Sequence, residues 1–225
     1  MKSYIISSIL FLFGNISLCQ QFYYPVCNKS SAVADELIPE NWNFKNSATG
    51  DLNGDNVPDL AMIIEYKDTI QEVRPDSSVN EGSPRILLLY FKNPKSGNYE
   101  LALQNNTFIV RYNEGGMDPE PHCDLSITHK VLDVSFDFLR SPVEYKFRYQ
   151  QNDFYLIGFN SVGVTGEDME IWDMNFSTKK IKFEKGKISS DKRKYKWYNM
   201  PPDTKIKLKD LKMVFRLQII PETSI

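Results

Sequence analysis

Cysteine and histidine are scarce, and their spacing excludes several kinds of site. The 225-residue chain contains three cysteines and two histidines. His122, Cys123, Asp124 and His129 lie close in sequence, but no Cys-x2-Cys or His-x3-His pair of the kind typical of zinc sites is present. A Gly-x-Ser-x-Gly elbow and a glycine-rich phosphate loop are also missing. The sequence therefore carries no signature of zinc, esterase or nucleotide chemistry.

Long hydrophobic runs are equally scarce, and the one that occurs is at the start of the chain. Lys2 precedes an almost continuously apolar stretch, Tyr4–Leu18, which is shorter than the roughly 20 residues that cross a bilayer. Ser17 and Cys19 are the small residues that a signal-peptide cleavage site requires. We predict a signal peptide over residues 1–19 and an exported protein, in the periplasm, outside the cell or on its surface.

The cleavage prediction has one alternative, which is acylation of Cys19 as in a lipoprotein. The large Leu18 stands where a lipobox has a small residue, so the motif is only partly matched. No second long apolar run follows, and we predict a mature chain without a transmembrane segment. Residues 20–225 are long enough for a single domain with a substantial core.

Two cysteines remain after cleavage, Cys27 and Cys123. Proteins exported to oxidising compartments form disulfides, so the predicted export favours a bridge between these two cysteines. Two free thiols are the alternative, because a single pair offers no spacing pattern.

Between the signal and residue 183 the chain is dominated by strand-length apolar or alternating segments, separated by turn residues. These predict a mainly β domain, an antiparallel meander with little helix. Two hairpins are expected within it, with turns at His129-Lys130 and at Gln151-Asn152-Asp153. A short helix is expected at Ser31–Leu37 and an exposed loop at Lys67–Pro84. The predicted strands are Leu60–Tyr66, Arg85–Phe91, Tyr99–Gln104, Thr107–Tyr112, Leu125–Thr128, Val131–Phe138, Val143–Tyr149, Phe154–Asn160, Glu170–Phe176, Lys180–Phe183 and Met213–Ile220.

Charge is unevenly distributed along the chain. The overall charge of −2 gives no indication of a nucleic-acid partner. From Lys179 to Lys212, however, thirteen Lys or Arg stand against four Asp or Glu, a local charge of +9. This basic C-terminal segment, about 179–225, is either a solvated face or a patch for an anionic surface or polymer.

The most informative motif is the acidic loop Asp51–Asp59. Oxygen-bearing side chains occur at its first, third, fifth and ninth positions, and a backbone carbonyl at the seventh adds another donor. Calcium accepts six to eight oxygens with flexible geometry, so this spacing predicts a Ca²⁺ site completed by water. The predicted ligands are Asp51, Asn53, Asp55, Val57 (through its carbonyl) and Asp59.

The loop is not an EF-hand. Asn56 occupies the sixth position, where an EF-hand has glycine, and Met62 occupies the twelfth, where it has a bidentate glutamate. A strand pattern follows instead of a helix. The alternative interpretation is an ordinary turn rich in Asp and Asn.

The motif Asp-Leu-Asn-Gly-Asp-Asn-Val-Pro-Asp-Leu resembles the calcium loop of the FG-GAP/VCBS class, found in integrin-type propeller repeats and in exported bacterial proteins. The resemblance implies the same five ligands and a strand directly after the loop. Only one copy of the motif is present, so a full β-propeller is not expected. Segments such as Arg85–Phe91 and Phe147–Gly158 also resemble an uncharacterised group of exported bacterial proteins, from which no activity transfers.

Two functional hypotheses follow. The first is a calcium-stabilised, non-enzymatic β domain of the cell envelope or extracellular space, acting in binding or adhesion or as an envelope component. The second is a hydrolase of an extracellular polymer that uses carboxylates at Glu167–Glu170 or Asp133–Asp137. A pocket into which these acids converge would favour the hydrolase.

Overall fold

The computed structural model describes residues 22–27, 29–212, 218–220 and 223–224. It is mainly β, with 53% strand and 4% helix, and the sheets are antiparallel. The described residues form no propeller. The predicted fold class is confirmed.

Fifteen strands are described. Two short 3₁₀ turns accompany them, at Ala34–Leu37 and Leu208–Asp210. The strands are β1 (Trp42–Gly50), β2 (Asp59–Tyr66), β3 (Ile70–Val73), β4 (Val79–Gly82), β5 (Arg85–Lys92), β6 (Tyr99–Asn105), β7 (His122–Thr128), β8 (Val131–Asp137), β9 (Val143–Gln150), β10 (Asp153–Thr165), β11 (Asp168–Asn175), β12 (Lys180–Lys187), β13 (Arg193–Asn199), β14 (Gln218–Ile220) and β15 (Thr223–Ser224).

The first sheet has the order β1-β2-β5-β6 and is buried on both faces at its centre. Successive side chains of a strand point to opposite faces. One face of β2 and β5 packs against the second sheet through residues such as Ile63 and Leu89. The other packs, through Met62 and Leu88, against the N-terminal segment that includes Leu37. The continuous apolar runs of these two strands reflect this double burial.

The second sheet is a seven-stranded meander from β7 to β13 in sequence order. Its first strands supply the aromatic part of the core shared with the first sheet: Phe136, Tyr145 and Phe147 surround Phe108 in edge-to-face contacts. At one corner the two sheets meet closely. A Cβ on Gly50 at the end of β1 would lie 2.6 Å from Cγ2 of Ile127 in β7.

Two hairpin turns of the meander contain residues in the left-handed region. His129 and Lys130 have φ of 51° and 64°, and Gln151 and Asn152 have φ of 52° and 60°. Two consecutive positive φ values are typical of a two-residue type I′ turn, whose twist matches that of the flanking strands. Both hairpins were predicted, and both are confirmed.

Four segments differ from prediction. Thr107–Tyr112 is not a strand: the side chain of Asn105 accepts hydrogen bonds from the N–H groups of Thr107 and Phe108 and so turns the chain out of the ladder. Lys67–Pro84 is not an open loop, because the β3–β4 hairpin forms within it. β1 and β13 were not predicted, since both are rich in polar residues.

The predicted Cys27–Cys123 bridge is wrong in this structure, where both thiols are free. Cys27 packs in the cluster beneath the N-terminal segment, whereas Cys123 packs against the core between the sheets. The first sheet therefore separates them. Burial raises the pKa of Cys27 to about 11 and that of Cys123 to about 12, so both remain protonated thiols near neutral pH.

The predicted signal peptide, residues 1–19, lies outside the described residues, as do residues 213–217 of the predicted strand Met213–Ile220. The last three residues of that predicted strand form β14, which pairs with β15. In the described part of the chain, no helix has the length and apolar character needed to span a membrane.

Candidate functional site

The acidic loop connects β1 to β2 and closes where Gly50 pairs with Asp59. Two of its residues have positive φ, Gly54 at 90° and Asn56 at 65°. Glycine and asparagine are the residues that adopt this region at least cost, so the sequence is suited to a tightly wound loop. The winding places the candidate ligands at the end of a core strand.

Three of the predicted ligands accept hydrogen bonds from backbone N–H groups of residues 54–57, in the middle of the loop. The carboxylate of Asp51 accepts from Gly54 at 2.6 Å and from Asn56 at 3.1 Å. The side-chain oxygen of Asn53 accepts from Asp55 at 2.9 Å, and the Asp55 carboxylate accepts from Val57 at 2.8 Å. The loop is therefore held in shape by its own side chains.

Asp59 is the most constrained of the five. It is fully buried, and its two oxygens accept from the N–H groups of Leu52 at 2.8 Å and of Lys92 at 2.9 Å. Burial raises the pKa of this carboxyl above its usual value, and the backbone hydrogen bonds oppose that shift only in part. Asp59 thus ties the loop to the ends of β2 and β5.

The loop carries three carboxylates, and none of them forms an ion pair with a described lysine or arginine. The Lys130 ammonium nevertheless lies beside the loop, 3.1 Å from where a Cβ on Gly54 would stand. Within the described residues no three His, Cys, Asp or Glu side chains are arranged as a metal-binding group.

The oxygen donors of the loop fit a hard cation in kind. Each bonded oxygen retains a lone pair except Oδ2 of Asp59, which accepts from both Leu52 and Asn53. Their present directions are those of a self-capped loop, so cation binding requires the half-buried Asp51 and Asn53 and the exposed Asp55 to turn their side chains inward.

Some acids elsewhere in the protein are paired with cations. Arg85 contacts Glu65 and Glu120 at 2.6 Å each, and Lys45 contacts the same two carboxylates at 3.2 and 3.1 Å. The hydrogen bond from Lys45 is the main cause of the lowered pKa of Glu120. Compared with this network, the acidic loop has an excess of negative charge.

This charged network lines a cavity of about 390 Å³ beside β7 that sequence analysis missed. Its walls come from β1, β5 and the chain before β7, and no local motif joins segments so distant in sequence. Cys123 also lines the cavity, but its raised pKa leaves it a thiol and thus a weak nucleophile. His122 contacts Asp124 at 3.1 Å, and His129 lies in the turn at the opposite end of β7.

Three of the five acids of the hydrolase hypothesis are in ion pairs on the second sheet, and Glu167 and Asp137 form none with the described residues. Asp168 contacts Lys187 at 2.9 Å, Glu170 contacts Lys185 at 2.7 Å, and Asp133 contacts Lys146 at 3.1 Å. The hydrogen bond from Lys187 lowers the pKa of Asp168, the opposite of what a general acid needs. Neither of the two described cavities is lined by these acids.

The basic segment forms the far edge of the second sheet. About half of its cations are neutralised by acids, as where Lys207 and Lys209 contact Asp153 at 3.0 and 2.6 Å. Three lysines next to or within β13 form no ion pair with a described acid. These are Lys192, Lys194 and Lys196.

Comparison with known proteins finds no matching family model. It finds no significant match among curated proteins or among solved structures.

Proposed function

We propose that this chain is an exported, calcium-stabilised β domain that acts by binding, in the cell envelope or the extracellular space. The observation that carries the proposal is the concentration of three carboxylates, none in an ion pair with a described lysine or arginine, in the loop Asp51–Asp59. Calcium bound there would neutralise this charge through the side chains of Asp51, Asn53, Asp55 and Asp59 and the carbonyl of Val57.

The role proposed for the ion is structural. The loop joins two strands of the first sheet, and Asp59 is both its last residue and the first residue of the buried strand β2. Without a cation the three carboxylates repel one another and oppose closure of the loop. Anything that binds only the folded state stabilises it by mass action.

The test is thermal unfolding of the full chain, with calcium in excess or with a chelator. At about 100 times the Kd, calcium should add about 2.7 kcal/mol to the free energy of unfolding. Asp55→Ala removes a central ligand from an exposed position and should abolish most of that gain. Isothermal titration should show one calcium site in the wild type and none in the variant.

Asp203→Ala is the matched control, because Asp203 is exposed and has no partner among the described residues. A change at Asp76 would not serve as a control, since the Asp76 carboxylate accepts hydrogen bonds from Ser78 in the β3–β4 turn. The control should melt like the wild type in both conditions. An identical melting temperature of the wild type with and without calcium would show that the loop is an ordinary turn.

A further inference from the structure

The edge strand β13 is exposed along nearly its whole length. Within the described residues it is the last strand of the seven-stranded sheet, so one side of its backbone has no neighbouring strand. Tyr195 is 67% exposed and Trp197 56% exposed. Large aromatic side chains in this position bury little and therefore contribute little to stability, so they suggest a surface that a partner covers.

Tyr195 and Trp197 are two residues apart and stand on the same face of the sheet, with Cα atoms about 7 Å apart along the strand. They lie opposite Glu184 and Lys182 of β12. The Lys182 ammonium lies 5.7 Å from the centre of the Tyr195 ring. The two rings thus form a short aromatic row with a cation beside it.

Cationic residues of β13 lie on both faces of the strand next to this row. Arg193 shares the face of Tyr195, while Lys194 and Lys196 alternate with the aromatics on the opposite face of the strand. Only Arg193 has a described acidic neighbour, Glu184 at 4.0 Å. We call this set the β13 strip: Arg193, Lys194, Tyr195, Lys196 and Trp197.

On this face of the sheet, the positive charge is confined to about two strands, β12 and β13. In the cross-strand row that begins with Trp197 and Lys182, the next residues include Asp173 on β11 and Glu144 on β9. A planar anionic membrane lying on this face would meet those carboxylates, whereas a linear polymer laid along β13 would avoid them. Neither described cavity includes the strip, which also lacks the groove typical of single-stranded nucleic acid binding.

We propose that the β13 strip is a binding site for an acidic polysaccharide. The rings of Tyr195 and Trp197 would stack on the apolar faces of successive sugar units. Arg193, Lys194 and Lys196 would pair with the carboxylate or sulfate groups of the same chain. This inference specifies the ligand class of the proposed binding domain, but it does not depend on calcium.

Trp197 provides a direct probe, because Trp42 is buried and Trp172 is partly buried. Titration of the full chain with polygalacturonate or dextran sulfate should quench and shift tryptophan emission, and neutral dextran should not. Raising the salt concentration from about 50 to about 300 mM should weaken binding, since exposed charges are screened. Single-stranded poly-dT and phosphatidylglycerol vesicles are the competing probes.

Affinity electrophoresis in polygalacturonate gels compares the variants. The double change Tyr195→Ser and Trp197→Ser should weaken binding by about tenfold or more, as should Arg193→Glu with Lys194→Glu. Tyr23→Ser is the matched control, because Tyr23 is 81% exposed on the N-terminal segment. It should bind like the wild type.

Three outcomes would overturn the proposal: unchanged binding by both double variants, equal binding of neutral dextran, or tighter binding of poly-dT or vesicles through the same residues. The titrations are repeated with a chelator to separate the two proposals. Polygalacturonate binding without any calcium effect on melting would refute only the calcium site. A calcium effect without polygalacturonate binding would refute only the β13 strip.

Discussion

The central strands β2 and β5 and the edge strand β13 show how differently one chain uses the same backbone conformation. The first six residues of both β2 and β5 are buried, because the second sheet covers one face and the N-terminal segment the other. In β13 only Tyr198 is even partly buried. The comparison shows that a strand contributes to stability when other segments cover its faces. A strand that no segment covers stays accessible to partners.

The largest expected effect comes from a large-to-small change in the covered strands. Leu88 is fully buried at the centre of β5, beneath the N-terminal segment. Leu88→Ala should lower the free energy of unfolding by about 2–5 kcal/mol, through lost burial and the cavity left behind. Urea unfolding followed by circular dichroism measures the difference.

Trp197→Ala in β13 is the counterpart, and it should change stability by no more than about 0.5 kcal/mol despite the larger side chain. A loss comparable with that of Leu88→Ala would mean that β13 is covered in solution and that the contrast is wrong.

An intermediate effect is expected where the two sheets meet. A Cβ on Gly50 would lie 2.6 Å from the Ile127 side chain and 2.9 Å from its carbonyl oxygen, and backbone does not yield easily. Gly50→Ala should therefore cost about 1–3 kcal/mol in the same urea experiment. Gly163→Ala in β10 is the control, because a Cβ there meets nothing within 4 Å, and it should be neutral. Equal stability of the two variants would contradict the close approach of β1 to β7.

A smaller effect than at Gly50 is expected at Asp153, which holds the basic segment to the start of β10 through Lys207 and Lys209. Burial alone would raise the pKa of Asp153, but hydrogen bonds from Lys209 and Lys207 hold it below its usual value. A depressed pKa stabilises the fold above the unfolded-state pKa, and this contribution disappears as pH falls through the folded-state pKa.

Asp153→Asn should accordingly cost about 1 kcal/mol at neutral pH. The difference from wild type should vanish in acid, once both proteins carry a neutral side chain at this position. Thermal melts across the acid range measure it, with Asp203→Asn as the control that changes stability at no pH. A difference that persisted in acid would assign the effect to packing instead of charge.

Local pattern predicted the two meander hairpins because their turns and apolar alternation lie within a few residues. At Val131–Asp137 and Val143–Gln150 the prediction and the structure agree within two residues. The local pattern failed at Thr107–Tyr112, where Phe108–Val110 are buried without joining a ladder. The side chain of Asn105 takes the backbone hydrogen bonds there. A run of apolar residues predicts that a segment is buried, but it does not show whether the buried segment is a strand or a loop.

The candidate sites divide in the same way. The acidic loop was recognisable from sequence, because its five candidate ligands lie within nine consecutive residues, and its affinity for calcium stays a prediction. The cavity beside β7 was not recognisable, because Lys45, Arg85 and Glu120 become neighbours only when separate strands pack.

The sequence by itself determined the β class, the main hairpins and the composition of the acidic loop, since each depends on interactions between near neighbours in the chain. The tertiary structure decided the rest. Packing of the two sheets and the N-terminal segment separated Cys27 from Cys123 and neutralised about half of the basic segment. It also left Tyr195 and Trp197 exposed on an edge strand, because burial depends on which distant segments reach a surface.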